Sequence, residues 1–228
     1  MTDAALVTRR PWAGALIAVG VVVTAGLGVH YANQRHPGRI DGAIDPRLHR
    51  HLASHQATLV HIITVADPRN VAIACVAIGA LSFWRGRRRL ALLSLIGPLM
   101  AVGLTDLVLK PLINRRFLGM LSFPSGHTAA SVAMATVVVV GMLGASRPAW
   151  SAVARWLVLV AFEAIAFVIA VALVAAGYHY ATDTIGGAAL AIAVVMASAL
   201  AIDGAADRVD RRRAHRVKSD LSRHRRTS

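Results

Sequence analysis

The chain has 228 residues, 56% of them hydrophobic and 5% aromatic, with a mean hydropathy of +0.58 and a formal net charge of +14. That composition excludes an ordinary soluble domain, whose surface needs more polar residues, and favours one integral-membrane bundle. The lone cysteine, Cys75, excludes an intrachain disulfide and a cysteine metal site, and leaves the redox compartment open.

A membrane-spanning helix needs about 20 mostly apolar residues, and six stretches are read as spans: 12–32, 68–84, 90–109, 128–143, 156–176 and 184–202. Arg9 and Arg10 precede the first as in a signal peptide. Its apolar core is too long and no small-x-small cleavage site follows, so it is read as an uncleaved span. The second and fourth are short and are expected to extend into their flanks.

Between the first two spans lie His36, His49, His51, His55 and His61. His51 and His55 have helical metal-ligand spacing, but no carboxylate or cysteine completes a set, so no metal is expected. An interfacial helix around residues 48–63, lying over the site as a lid, is expected instead. Asp67 and Pro68 fit the N-cap and first-turn positions of the second span. Glu163, the one acid deep in a predicted span, is read as hydrogen-bonded inside the bundle rather than as a proton relay.

Orientation follows from the basic residues. A cytoplasmic N-terminus gives the inner side Arg9, Arg10, the arginines of 85–89, Arg147, Arg155 and the basic tail. The fold expected is therefore all-α integral membrane, a six-transmembrane-helix bundle with both termini cytoplasmic. Residues 1–206 form the membrane domain and 207–228 a basic tail, disordered or interfacial, drawn to anionic lipid rather than nucleic acid.

This topology puts the two most chemically loaded stretches on the outer face. The first is "KPLINRRFLGMLSFPSGH". Lys110 ends the third span, Pro111 turns the chain out of the helix, and Arg115 and Arg116 follow. Asp106, one turn earlier, is placed to hold the lysine ammonium. Ser125 is an N-cap candidate and Gly126 allows close backbone approach, so the fourth span begins as an anion-binding helix terminus with His127 beside it. The second stretch is "GYHYATD", in which His179 and Asp183 share a helix face and the carboxylate can fix the imidazole tautomer.

The order Lys, Arg, "PSGH", His-x-x-x-Asp resembles the type 2 phosphatidic acid phosphatase superfamily. Its membrane members are six-span lipid phosphatases and phosphotransferases, and its soluble relatives include vanadium haloperoxidases. The resemblance implies phosphate binding by Lys110, an arginine of the loop, Ser125 and the Gly126 amide. It implies attack by His179 to give a phosphohistidine, orientation of His179 by Asp183, and protonation of the leaving group by His127, without metal or cofactor.

The chain departs from the pattern twice. The usual first motif has arginine where Phe117 stands, and Arg115, with Arg116 as alternative, is expected to substitute. The usual third motif has Ser-Arg where Ala172 and Leu173 stand, and Arg116 is expected to supply the missing charge. The function expected is hydrolysis of a lipid phosphomonoester or pyrophosphate, such as polyprenyl pyrophosphate, phosphatidic acid or phosphatidylglycerol phosphate. The enzyme would lie in the cytoplasmic membrane with its site outside, and its partners would be the lipid substrate and membrane lipids. The alternatives are a phosphotransferase on the same site and a non-catalytic lipid-phosphate-binding or transport protein.

Overall fold

The computed structural model describes residues 4–144 and 150–227, with side chains through Arg212. Arg147, counted above among the inner charges, lies outside the described residues.

The described residues are helical with one small hairpin. Helix α1 (Arg10–Tyr31) is followed by α2 (Arg39–Leu52), a short 3-10 turn and α3 (Gln56–Thr64). Next come α4 (Pro68–Trp84), α5 (Arg88–Gly103), a π-helical turn (Leu104–Leu109) and α6 (Lys110–Ile113). Strands β1 (Arg116–Phe117) and β2 (Met120–Leu121) precede α7 (Gly126–Leu143), α8 (Ala152–Ala175) and α9 (Ala181–Thr227).

Among the described residues five helices are long and apolar enough to cross a bilayer: α1, the Arg88–Ile113 rod, α7, α8 and the Ala181–Arg212 part of α9. At 17 residues, α4 passes the same test only jointly with the bent Arg39–Thr64 segment before it. The expected short second span is thus short in fact.

Helix α9 is the axis, packed by α1, α5 and α7. Lipid tails are as apolar as side chains, so close packing rather than water exclusion joins these helices, and small residues permit it. A Cβ on Gly20 of α1 would sit 2.5 Å from the Ala189 carbonyl, and one on Gly187 of α9 would sit 2.5 Å from the Ser125 carbonyl. Ala133, Ala135, Val137, Ala191, Val195 and Ala199 are wholly buried between them.

At one end of the bundle Asp203 is buried and accepts from the Leu6 and Val7 amides, both at 2.9 Å, and from Arg89 at 3.0 Å. Asp183 lies 20 residues earlier on the same helix, about 30 Å away at 1.5 Å per residue. That is one hydrocarbon thickness, so the motif residues and the Arg89 cluster occupy opposite ends of the bundle.

Two local expectations change. Pro111 does not end the third helix. The π turn precedes it, Pro111 falls in the first turn of α6 where its missing N–H costs nothing, and the helix stops at Asn114 with φ +52°. Glu163 is exposed on the outer face of α8 instead of inside the bundle. The backbone of α9 continues as helix through Thr227 into the basic tail.

Candidate active site

Two apolar-walled cavities meet at the end of the bundle where α7 and α9 begin. One, about 400 Å³, is lined by Asp67, Lys110, Phe117, His127, Leu173 and His179, with α3 forming a wall through Val60, Ile63 and Thr64. The helix expected as a lid is therefore α2–α3, starting at Arg39 and bordering the cavity. The other, about 420 Å³, is a groove between α4 and α5 lined by Val71, Cys75, Leu99 and their neighbours. Lys110 and His127 line both.

The π turn brings Asp106 and Lys110 together, carboxylate to ammonium at 2.7 Å. Such turns concentrate at functional sites. Across the groove, a Cβ on Gly126 would stand 3.0 Å from Asp106 Oδ1 and 3.3 Å from Oδ2, so glycine is what lets that carboxylate lie against the start of α7. His127 follows, with its Nε2 3.6 Å from Asp67 Oδ1. Asp67 precedes α4 as expected, but its carboxylate makes no cap bond and faces His127 instead.

His179 sits in the turn before α9, its side chain 11% exposed. Its Nδ1 is turned to Asp183 Oδ2 at 3.5 Å, long for a hydrogen bond, which leaves Nε2 as the nitrogen for the cavity. Asp183 is fully buried and held on its other flank. Its Oδ2 accepts from the Tyr180 amide at 3.1 Å and its Oδ1 from Arg115 at 2.6 Å.

That contact overturns the expected role of Arg115. Its guanidinium is 0% exposed and spans two carboxylates, Asp183 at 2.6 Å and Asp41 at 2.5 Å. It also donates to Thr182 Oγ1 at 2.7 Å and lies between the rings of Tyr31 and Tyr180, 3.9 and 4.4 Å from their centroids. With its cationic face sandwiched and both its terminal NH₂ groups paired, Arg115 reaches His179 only through Asp183 and does not line the histidine cavity.

Arg116 is also redirected. Successive strand residues face opposite sides, and a two-residue turn with positive φ at Leu118 and Gly119 closes the hairpin. Arg116 donates to Gly119 O at 2.8 Å and lines a further cavity with Arg35 and Tyr180, which shares only Phe117 with the histidine cavity. It therefore does not replace the charge absent at Leu173. Ser125 caps α7 as expected, accepting from the Thr128 amide at 3.4 Å and its hydroxyl at 3.1 Å. It is 0% exposed, however, and its hydroxyl is not at the cavity surface.

Sequence reasoning missed Asp41. It lies in the first turn of α2, fully buried, and accepts from the Thr182 amide and hydroxyl at 3.0 and 2.8 Å, from the Gly38 amide at 3.0 Å and from Arg115. Burial raises its pKa, but these four hydrogen bonds outweigh burial and hold it below the ordinary carboxylate value. The only signal in the sequence was Asp41 three residues after Gly38, a weak capping pattern. Asp45, one turn on, is pushed up to about 6 by burial first and by the nearby charges of Asp41 and Asp183, against a hydrogen bond from the Ala181 amide.

Residues 109–205 match the PAP2 superfamily, a stretch that contains every predicted site residue. None of the curated proteins compared matches the chain. Among solved structures it is similar to a transmembrane PAP2-type phosphatidylglycerolphosphate phosphatase from Bacillus subtilis. The identity is 20% and the TM-score 0.59, over 84% of this chain and 96% of that one. The fold is thus that of a multi-pass PAP2 membrane phosphatase.

Proposed function

We propose that the protein is a lipid phosphatase whose His179 Nε2 attacks phosphorus and forms a phosphohistidine. The observation that carries this reading is the pairing of two histidines on one cavity, His179 backed by buried Asp183 and His127 beside Lys110. Asp183 faces Nδ1 at 3.5 Å, and closing that gap on substrate binding would hold the Nδ1 proton and leave the Nε2 lone pair for attack. As the N–P bond forms and the P–O bond breaks, His127 gives its proton to the departing alkoxide. Water then adds to phosphorus, its proton passes to His127, and the N–P electron pair returns to His179. Lys110 and the free N–H groups opening α7 balance charge on the phosphoryl oxygens.

The lipid class of substrate is supported by the groove between α4 and α5, which ends at Lys110 and His127 and can take an apolar chain. An outward-facing site is supported by charge: Arg85, Arg88, Arg89, Arg208, Arg211 and Arg212 lie toward the end opposite the histidines. The transport alternative draws no support from Glu163, which faces outward from α8.

The test is metal-free hydrolysis by purified protein of a panel of lipid phosphates, including a lipid pyrophosphate, phosphatidic acid and phosphatidylglycerol phosphate. His179→Ala is expected to lower kcat by at least about 10³-fold. A labelled phosphoryl group is expected on the protein, stable in base and lost in acid. Release that survives the substitution would sink the mechanism. An added alcohol that captures the phosphoryl group in preference to water would make the protein a phosphotransferase.

A further inference from the structure

The histidine cavity is poor in positive charge for a site that binds phosphate. Lys110 is the one lysine or arginine among its described lining residues, and Asp106 already pairs with it at 2.7 Å. Asp67 adds a second carboxylate, 3.6 Å from His127. Arg115 is sealed between Asp41 and Asp183, Arg116 lines another cavity, and Phe117 and Leu173 present carbon where the family pattern has arginine. What remains is a lysine and a protonated His127, each already facing a carboxylate, and the roughly half charge of a helix terminus. A phosphomonoester carries about 1.5 to 2 negative charges at neutral pH, and a pyrophosphate carries more. A phosphodiester carries one.

The shape agrees with the charge. A monoester has one organic substituent, yet two lobes of about 400 and 420 Å³ meet at Lys110 and His127. One is the apolar groove, and the other carries polar Thr64, Asp67, Ser122 and Tyr178 among its walls. We propose that the substrate is a lipid phosphodiester, with its chain in the α4–α5 groove, its phosphorus at Lys110 and His127, and a neutral or cationic headgroup beside Asp67. This moves the substrate from a monoester or pyrophosphate to a diester, and it rests on the phosphohistidine hydrolase chemistry above. His179 lines only the headgroup lobe, and in-line displacement puts the leaving group opposite the nucleophile. The lipid alcohol therefore leaves first, taking the His127 proton, and the headgroup phosphoryl stays on His179. Water then releases the headgroup as a phosphomonoester and returns a proton to His127.

The test compares phosphatidic acid with phosphatidylethanolamine of the same acyl chains in mixed micelles, using the full chain and reading the diacylglycerol common to both. The diester is expected to show at least about tenfold higher kcat/KM. A monoester rate equal to or above the diester rate overturns this inference and leaves the hydrolase reading standing. No diacylglycerol from either lipid, with no turnover of the wider panel, overturns both. Leu173→Arg and Phe117→Arg, singly and together, are expected to move the ratio at least about tenfold toward the monoester. An unchanged ratio in a variant with wild-type thermal stability overturns the charge argument. Should neither variant fold, inhibition of the wild type decides: dimethyl phosphate is expected to compete more strongly than inorganic phosphate, and the reverse order overturns the inference.

Discussion

Asp41→Asn isolates the buried chain Asp41–Arg115–Asp183–His179. With its oxygen toward Thr182 the amide still accepts from the Thr182 amide and hydroxyl, but its NH₂ then stands against the Gly38 N–H and the Arg115 guanidinium, and the negative charge facing that guanidinium is gone. Breaking a fully buried ion pair by removing one partner costs about 3–5 kcal/mol. Because part of the hydrogen bonding survives, the lower end, about 3 kcal/mol, is expected. At about 2–4 °C per kcal/mol for a chain of this size, the midpoint should fall by roughly 6–12 °C. The guanidinium is then left with Asp183 as its one carboxylate partner and draws it away from His179, whose Nδ1 is already 3.5 Å distant. Misplacement of about 1 Å can cost 10²-fold, so kcat should drop about 10- to 100-fold while KM stays within about threefold. Cys75 is the sole cysteine and is buried, so a thiol-reactive dye reports unfolding directly. A stable variant with unchanged kcat, or a loss confined to KM, would refute the positioning role of Asp41.

Gly126→Ala places a Cβ 3.0 Å from Asp106 Oδ1, so the carboxylate paired with Lys110 must give way slightly, and kcat/KM should fall about tenfold with a small change in midpoint. His127→Ala should cost about 10²–10⁴-fold on a substrate with an alkyl leaving group and far less on a nitrophenyl phosphate, whose nitrophenolate departs without protonation; equal losses would remove the general-acid role. Asp45, at about 6 in the folded chain against 3.8 unfolded, favours the protonated folded state. Its contribution to stability is complete below pH 3.8 and lost as pH rises through 6. Asp45→Asn should therefore flatten the midpoint between pH 5 and 7.5, and an unaltered slope would contradict that assignment.

What the sequence reveals divides by the range of the interaction. Spans, the Ser125 cap and the Asp106–Lys110 pair depend on hydropathy or on neighbours within one turn, and these were legible. The destination of Arg115 was not, because it depends on Asp41, 74 residues away, and Asp183, 68 away. Nor was Asp67: its capping pattern is genuine in sequence, while its carboxylate answers to His127, which only the packing of α4 against α7 brings near. Arg116 was misread for a local reason. The Leu118–Gly119 turn fixes the pleat of β1, and the pleat sends adjacent side chains to opposite sides.

The fate of the arginines explains how the fold tolerates an apolar residue at both Phe117 and Leu173. A cation that waits for a phosphate must be left partly unpaired in the empty enzyme, whereas one paired to protein acids is satisfied before substrate arrives. Arg115 is of the second kind, and its acids, Asp41 and Asp183, tie α2 to the start of α9 whether or not a lipid is bound. Phe117 packs edge-on against Tyr180 at 4.6 Å, and Tyr180 in turn covers Arg115, so the residue in the usual arginine position now shields the buried ion chain. Reinstating arginine at 117 therefore does two things at once. It adds a cation to the cavity and removes the edge contact from Tyr180, so its effect on selectivity must be read with its effect on stability. Leu173→Arg leaves the Phe117–Tyr180 contact in place, but Leu173 is buried with Ala172 and Ile169 in the α3–α8 contact, so its effect on selectivity must likewise be read with its effect on stability.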